Sequence, residues 1–238
     1  MYTFKFSYTN DKEATVLFAH TFSNDRVTAK INLFKVDKET GKAVSQGDAT
    51  LKGAVYGLYA REDIVHPDGA TGTIYKAGEQ VASLTTDDKG QASVKGLYLG
   101  KYYVKEITPP TGYLADTEEH DLVCSYEGDM TAEVKRECTS SEQIIKQPFQ
   151  IIKAANNGKT DAELLSGAGF TVYLKSSLTK KADGSYDFDS AKPVVSGENG
   201  ATEIFTDEKG YACSIPLPLE AISCVKLQHR TITSQSMI

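Results

Sequence analysis

The chain repeats itself, and the repeat sets the size of the unit that must fold. Lys35 at the end of one apolar run matches Lys153 at the end of another, an offset of 153 − 35 = 118. The turn sequence TDDKG at 86–90 matches TDEKG at 206–210, an offset of 206 − 86 = 120. A period of this length is that of a domain rather than of a solenoid repeat, so each unit needs its own core.

Short alternating runs with turn residues between them predict an all-β unit. In the first unit we expect strands at 30–36, 54–60, 78–85, 90–94, 100–107, 119–124 and 130–136. Clusters of Gly, Asp and Pro separate these runs. Strands of this length and spacing predict a β-sandwich. The one helical segment that the pattern offers is a single turn at 161–165.

The same pattern divides the chain into four parts. Residues 27–147 form a complete unit that ends in a polar connector at 140–147, and residues 148–218 form a second, truncated unit. Residues 1–26 resemble the closing hairpin of an earlier repeat. Residues 219–238 contain no Gly, no turn signal and no strand alternation. We interpret them as a frameshifted or non-native tail, because a shifted reading frame with permissible codons restores the pattern Tyr-x-Val-x-Glu-x-Thr-x-Pro.

Two charged side chains are predicted to face a core. Side chains alternate between the two faces of a strand, so Glu106 shares the apolar face of Tyr102 and Val104. Lys35 likewise continues the row of Ile31 in the first strand. Because burying a lone charge is costly, each of the two needs a partner. We therefore predict that Lys35 and Glu106 pair.

Composition excludes several functions. The net charge of −6 argues against a nucleic-acid partner, which needs a basic face. No apolar run reaches the length of a membrane span, and no secretory signal or anchor is recognisable. No nucleophile–base set indicates an enzyme that acts on external substrates.

No cofactor or metal is predicted either. The four cysteines show no metal-binding spacing; Cys124 and Cys138 are expected as buried free thiols, with a disulfide between them as the alternative. The acidic segment 183–189 lacks the spacing of a calcium loop, and we interpret it as a solvated hairpin loop.

One motif resembles a known family. Residues 102–113 (YYVKEITPPTGY) resemble the E-box of Gram-positive surface proteins, and KVD at 35–37 followed by GAVYGL at 53–58 looks like the opening of the same module. The family is the Cna-B-type domain, which includes the SpaA-like pilin domains. The resemblance implies tandem prealbumin-like (Ig-like) β-sandwiches in the stalks of extracellular, cell-wall-anchored adhesins and pili, with neighbouring repeats as partners.

The resemblance also implies chemistry. Many such modules form an intramolecular isopeptide bond between a first-strand Lys and an Asn or Asp on the last strand, promoted by the E-box Glu. Mapped onto this sequence, Lys35 is the nucleophile and Glu106 the acid/base. Lys153 is the nucleophile of the second copy, whose Glu is missing. Burial favours the neutral amine and the protonated carboxyl that such a reaction needs.

The acceptor departs from the family pattern. The last predicted strand has no Asn or Asp, and Glu137 stands at about the expected position. Asp121 and Asp129 are alternatives, and a buried Lys35–Glu106 ion pair without any bond is a further one. Asn24, eleven positions before Lys35, resembles the closing Asn of the upstream repeat. The implied function is a structural stalk segment; the alternative is a ligand-binding module for a host glycan or matrix protein.

Overall fold

The computed structural model describes Thr21 and residues 25–155, 163–220 and 222–226. The hairpin predicted within 1–26 lies outside these residues, as do the first two residues of the helical turn predicted at 161–165. The other three are described and are not helical, because Leu164 forms an antiparallel β-bridge with Ala154. The strands of the first unit are β1 (Thr28–Asp37), β2 (Val55–Ala60), β3 (Ile64–Val65), β4 (Thr73–Tyr75), β5 (Gln80–Thr85), β6 (Gln91–Leu97), β7 (Gly100–Thr108), β8 (Glu119–Cys124) and β9 (Glu133–Glu142).

The strands that follow are shorter. They are β10 (Lys146–Gln147), β11 (Gln150–Ile152), β12 (Gly169–Leu174), β13 (Thr179–Lys180), β14 (Tyr186–Asp187), β15 (Glu203–Phe205), β16 (Tyr211–Cys213), β17 (Leu217–Pro218) and β18 (Ile222–Lys226). Two single 3-10 turns, Lys175–Ser177 and Glu198–Gly200, are the helical elements of the described residues. No helix in this part of the chain is long and apolar enough to cross a membrane.

The first unit is the predicted β-sandwich. One sheet has the order β6-β1-β9 and the other the order β5-β2-β7-β8. Their inner faces enclose one core, to which each central strand contributes fully buried side chains: Ile31 and Leu33 from β1, Tyr56 from β2, and Tyr102 and Val104 from β7. The predicted all-β fold is confirmed.

Strand β1 extends the apolar row into charged residues. Its burial alternates along its whole length, so that Lys35 and Asp37 follow Leu33 on the inner face and have no exposed surface. Strand β7 does the same with Tyr102, Val104 and Glu106. Because side chains alternate between the two faces of a strand, Lys35 and Glu106 both point into the interior of the sandwich.

The last strand of the unit is longer than the sequence indicates. We predicted a strand at 130–136 and a polar connector at 140–147, whereas β9 runs to Glu142. It pairs in parallel with β1 along the full length of that strand, with Lys35 opposite Ser140 and Asp37 opposite Glu142. Pairing with a long neighbour keeps polar residues in strand conformation, and Cys138, Ser140 and Glu142 point inward.

The second unit repeats part of this topology. Its sheet β15-β12-β18 corresponds to β5-β2-β7, and the pair β11-β16 corresponds to β1-β6. Counterparts of β8 and β9 would follow Lys226, beyond the described residues, so the truncation of the second copy stays a prediction.

Part of the tail forms a strand although its sequence shows no strand alternation. Strand β18 pairs with β12, and Lys226 lies opposite Phe170 as Glu106 lies opposite Tyr56. The E-box position is therefore occupied in space by a residue without a carboxylate. The edge of β12 that faces β18 offers backbone N–H and C=O groups for pairing. Because this pairing uses the backbone, β18 can form although its side chains do not alternate between apolar and polar. The frameshift interpretation of 219–238 remains untested.

Two smaller predictions concern polar residues and thiols. Cys124 and Cys138 are buried free thiols, and Cys213 and Cys224 are also free. In the hairpin β13–β14, Asp183 accepts hydrogen bonds from Ser185, and Lys181 lies within 3.7 Å of Asp187 and 3.8 Å of Asp189. These carboxylates are thus occupied by turn contacts and an exposed lysine.

Candidate functional site

Lys35 lies at the centre of a buried polar cluster between the two sheets. Its ammonium nitrogen Nζ is in direct contact with Glu142 Oε2 and is 3.7 Å from Glu106 Oε1. The side chains of all three residues are at most 1% exposed. The structure thus brings together the two residues that the sequence paired, and adds a third.

Glu106 is held by the segment that follows its strand. Its Oε2 accepts a hydrogen bond of 2.7 Å from the backbone N–H of Asp116, which leaves Oε1 facing Lys35. Burial raises the pKa of Glu106, although the Asp116 N–H and Lys35 act in the opposite direction. A raised pKa favours the protonated form of this carboxyl group, which is the form that can donate a proton.

Glu142 enters the cluster from the end of β9. Its Oε2 contacts the lysine, while its Oε1 accepts a hydrogen bond of 2.6 Å from the hydroxyl of Tyr56 and lies 3.1 Å from Ser140 Oγ. The two oxygens of this carboxyl group therefore have different surroundings. One faces an amine and the other faces hydroxyl donors.

The charges of the cluster do not balance. One lysine faces two buried carboxyl groups, and two carboxylates that face the same nitrogen in a buried site cannot both be ionised without a large cost. Burial lowers the pKa of Lys35 to about 8, despite the opposing effect of Glu106 and Asp116. A neutral amine and a protonated carboxyl are therefore accessible here, and these are the forms that react with each other.

The facing atoms of the cluster have no other polar partners. Among the described residues, three buried side-chain atoms lack a conventional hydrogen bond: Lys35 Nζ, Glu106 Oε1 and Glu142 Oε2. They are the three atoms that face one another. Buried polar atoms are normally paired, and these three have one another as their polar neighbours.

The E-box motif supplies a second layer around the lysine. The ring of Tyr113 lies 5.3 Å from Lys35 Nζ, and its hydroxyl donates a hydrogen bond of 2.9 Å to Asp37 Oδ2. Burial by itself raises the pKa of Asp37, but hydrogen bonds from Thr40, Gln46 and Tyr113 hold it below its usual range. Asp37 thus stays ionised next to the lysine strand and fixes the ring over the amine.

A Ser–Asp–His group borders the cluster without forming a hydrolase site. Ser140 Oγ and His120 Nε2 both bond to Asp116 Oδ2, at 2.8 Å and 2.7 Å. In a nucleophilic triad the histidine lies between the serine and the aspartate. Here the aspartate lies between the serine and the histidine, which is not the order of a triad.

Glu137, the acceptor named from the sequence, lies elsewhere. It is exposed on β9 and opposite Asn32 of β1, whereas the inward row of the strand passes through Ser140 to Glu142. Asp121, an alternative acceptor, pairs with Arg61 on the surface. Glu142 was missed because the sequence pattern predicts that the last strand ends at residue 136.

A signal for Glu142 was present in the spacing. Asn24 precedes Lys35 by 35 − 24 = 11 positions, and Glu142 precedes Lys153 by 153 − 142 = 11 positions. A serine directly precedes both Asn24 and Glu142. Glu142 thus has the same sequence position relative to Lys153 as Asn24 has relative to Lys35.

The second unit has the lysine without the cluster. Lys153 Nζ donates a hydrogen bond of 2.7 Å to the carbonyl of Ala154. The positions of Tyr56 and Glu106 are taken by Phe170 and Lys226 in the register of β12 and β18. Within the described residues, no carboxyl group forms an ion pair with Lys153, and no group of three potential metal ligands occurs in either unit.

Comparison with known proteins identifies the first unit. The family SpaA, described as a prealbumin-like fold domain, matches residues 29–137. No curated protein matches the sequence.

The chain is also similar to several solved structures. The Bacillus anthracis TIE protein is 22% identical over 85% of this chain, with a TM-score of 0.51. A streptococcal ancillary pilin is 21% identical over 87% of the chain, with a TM-score of 0.35. The shaft pilin SpaA of Lactobacillus rhamnosus GG is 17% identical over 86% of the chain and 89% of its own, with a TM-score of 0.32.

The first two structures are considerably longer than this chain, which covers 29% of the former and 56% of the latter. At these identities the likeness concerns the fold alone. The family match and the sandwich topology assign residues 29–137 the prealbumin-like fold of the SpaA family.

Proposed function

We propose that this chain is a structural stalk segment of a Gram-positive surface adhesin or pilus-like protein, and that its first unit closes itself with an isopeptide bond between Lys35 and Glu142. The observation that carries this proposal is the buried contact between the amine of the first strand and a carboxyl group of the last strand, beside a second carboxyl group. The stalk segment lies outside the cell, and its partners are the neighbouring repeats.

Each member of the cluster has one role in the reaction. Neutral Lys35 Nζ is the nucleophile and attacks Cδ of Glu142. Glu106, 3.7 Å from the nitrogen, takes a proton from it and returns a proton to the departing oxygen. The amide forms and one water leaves, without any cofactor. Amide bond formation between a free amine and a free carboxyl group is slow because the two groups rarely meet in the right geometry. The contact between Lys35 and Glu142 supplies this proximity.

The topology suits a stalk. Strand β1 begins at Thr28 and its parallel partner β9 ends at Glu142, so the chain enters and leaves the unit at opposite ends of one strand pair. Tension along a tandem chain slides these strands past each other and loads their hydrogen bonds together. A bond from Lys35 to Glu142 joins the two strands at the exit end.

Contacts between the units support a tandem arrangement. The connector strand β10 pairs with β17 of the second unit. The backbone N–H of Asp48 donates a hydrogen bond of 2.7 Å to the carbonyl of Leu219. Backbone contacts thus connect the first unit to the residues that follow it.

Intact mass of the denatured full chain tests the bond. We expect the wild type to be lighter than its sequence by one water, and Glu142→Ala to have its full mass. Glu142→Gln closes with loss of ammonia and reaches the same product mass as the closed wild type. Glu137→Ala is the matched control on the same strand and still loses water.

Two results contradict the proposal. A wild-type chain with its full mass has no isopeptide bond. A Glu137→Ala chain that keeps its full mass, beside a Glu142→Ala chain that loses water, shows that the acceptor is the exposed residue rather than the buried one.

A further inference from the structure

The carboxyl group of Glu142 is held in a way that separates its two oxygens. Oε2 contacts the attacking nitrogen, whereas Oε1 accepts the 2.6 Å hydrogen bond from the Tyr56 hydroxyl. Tyr56 has no exposed surface, and its ring belongs to the core of the sandwich. The hydroxyl is therefore positioned by the packing of the whole ring rather than by a mobile side chain.

We propose that Tyr56 is a catalytic residue of the closure reaction, whose hydroxyl stabilises the negative charge that develops on Glu142 Oε1. This inference rests on the proposed Lys35–Glu142 bond. As Nζ attacks Cδ, the electron pair of the carbonyl moves onto Oε1, where the phenol donates its hydrogen bond. The bond from Cδ to Oε2 then breaks, and Oε2 leaves as water with the carboxyl proton and one of the two protons of the neutral amine.

No other group of the cluster fills this place as well. Glu106 uses Oε2 for the Asp116 N–H and directs Oε1 at the lysine nitrogen, so it is placed for proton transfer on the nitrogen side. Ser140 Oγ lies 3.1 Å from Glu142 Oε1, but it also lies 2.8 Å from Asp116 Oδ2, and the hydroxyl has a single proton to donate. The charged oxygen is the stronger acceptor, which leaves Ser140 as a secondary donor.

Two further observations agree with this role. Burial raises the pKa of Tyr56, so the phenol keeps the proton that it must donate. In the second unit the residue at the same register position is Phe170, which has no hydroxyl, and the carboxylate opposite is also absent. The phenol thus occurs in the unit that has the complete cluster and is missing in the unit that has only the lysine.

The rate of closure tests the proposal. The full chain is made in a short cell-free synthesis pulse, denatured at intervals, and its loss of water is followed by intact mass. We expect Tyr56→Phe to slow closure about 100-fold or more, the usual effect of removing one oxyanion donor. We expect Ser140→Ala to slow it less.

Tyr102→Phe is the matched control. Tyr102 is equally buried, and its hydroxyl also donates a 2.6 Å hydrogen bond, to the carbonyl of Tyr98. It should close at the wild-type rate. Folding is checked separately by comparing the melting of Glu142→Ala with that of the Tyr56→Phe/Glu142→Ala double variant, since neither can form the bond.

The outcomes separate this inference from the proposed function. If the wild type closes and Tyr56→Phe closes equally fast, Tyr56 has no catalytic role. If Tyr102→Phe is slowed as much as Tyr56→Phe, the effect belongs to core packing and the inference is wrong. If the wild type never loses water, the proposed bond itself is absent, and the inference fails with it.

Discussion

The substitution Glu106→Gln isolates the contribution of the covalent bond to stability. It removes the acid/base group but keeps its shape, its acceptor for the Asp116 N–H, and the contact between Lys35 and Glu142. The variant should therefore fold with an ion pair in place of the bond. Its mass should be that of the uncondensed chain.

The expected loss of stability follows from the length of the closed loop. The bond joins residues separated by 142 − 35 = 107 positions. By the chain-entropy relation for cross-links, a loop of that length stabilises the folded state by about 5 kcal/mol. At about 2.1 cal/mol/K of unfolding entropy per residue, a unit of this size should then melt about 20 °C lower without the bond.

Differential scanning calorimetry of the full chain measures this difference. Glu62→Gln is the control, because it removes a carboxylate from an exposed pair with Lys101 and should change stability by less than about 1 kcal/mol. If the wild type has lost water and Glu106→Gln has not, yet the first unit melts within a few degrees in both, the entropic reasoning is wrong. If Glu106→Gln condenses as fast as the wild type, Glu106 has no role in the reaction.

Two other predictions concern the surroundings of Lys35. Closure needs the neutral amine and the protonated carboxyl group of Glu142 together, so with the pKa of Lys35 lowered to about 8, the initial rate of water loss should pass through a maximum as the pH is raised, because acid protonates the amine and alkali ionises the carboxyl group; a rate that keeps rising at alkaline pH would contradict the assignment. Gly90 has φ +70°, and a Cβ there would lie 2.8 Å from the carbonyl oxygen of Lys35, whereas Gly78 has φ +80° and open space. In urea unfolding of the Glu106→Gln chain, Gly78→Ala should cost about 1 kcal/mol and Gly90→Ala at least twice that; equal costs would show that the contact with Lys35 does not matter.

The sequence was most informative where polar residues interrupt an apolar row. Lys35 and Glu106 could be predicted because each continues a run of buried neighbours in a strand that is otherwise apolar, and the alternation leaves no other face for them. Burial of the two side chains beside each other then follows from the sandwich.

Glu142 could not be found in the same way. The last inward positions of β9 are Ser140 and Glu142, which face the polar cluster rather than the hydrophobic core, so the segment has no apolar alternation to detect. Its strand conformation comes from pairing with β1, a contact distant in sequence. The eleven-residue spacing shared with Asn24 is the one local signal, and it is visible only when consecutive units are compared.

Strand β18 shows the opposite case. Its sequence lacks strand alternation, yet it occupies the position of β7 because β12 offers an edge with free backbone groups. Such a position is determined by the neighbouring strand, and single-sequence patterns carry no information about it.

The parallel pairing of β1 and β9 also fixes how far the unit can stretch. With Lys35 joined to Glu142, a pulling force runs along β1 to the lysine and crosses directly to the end of β9, so the chain between them never enters the force path. Those residues, fully extended, would measure roughly 350–380 Å at about 3.3–3.6 Å each. A stalk built from such units would not lengthen under load. Most of the chain in each unit lies within the loop closed by the bond, and this loop bears no tension.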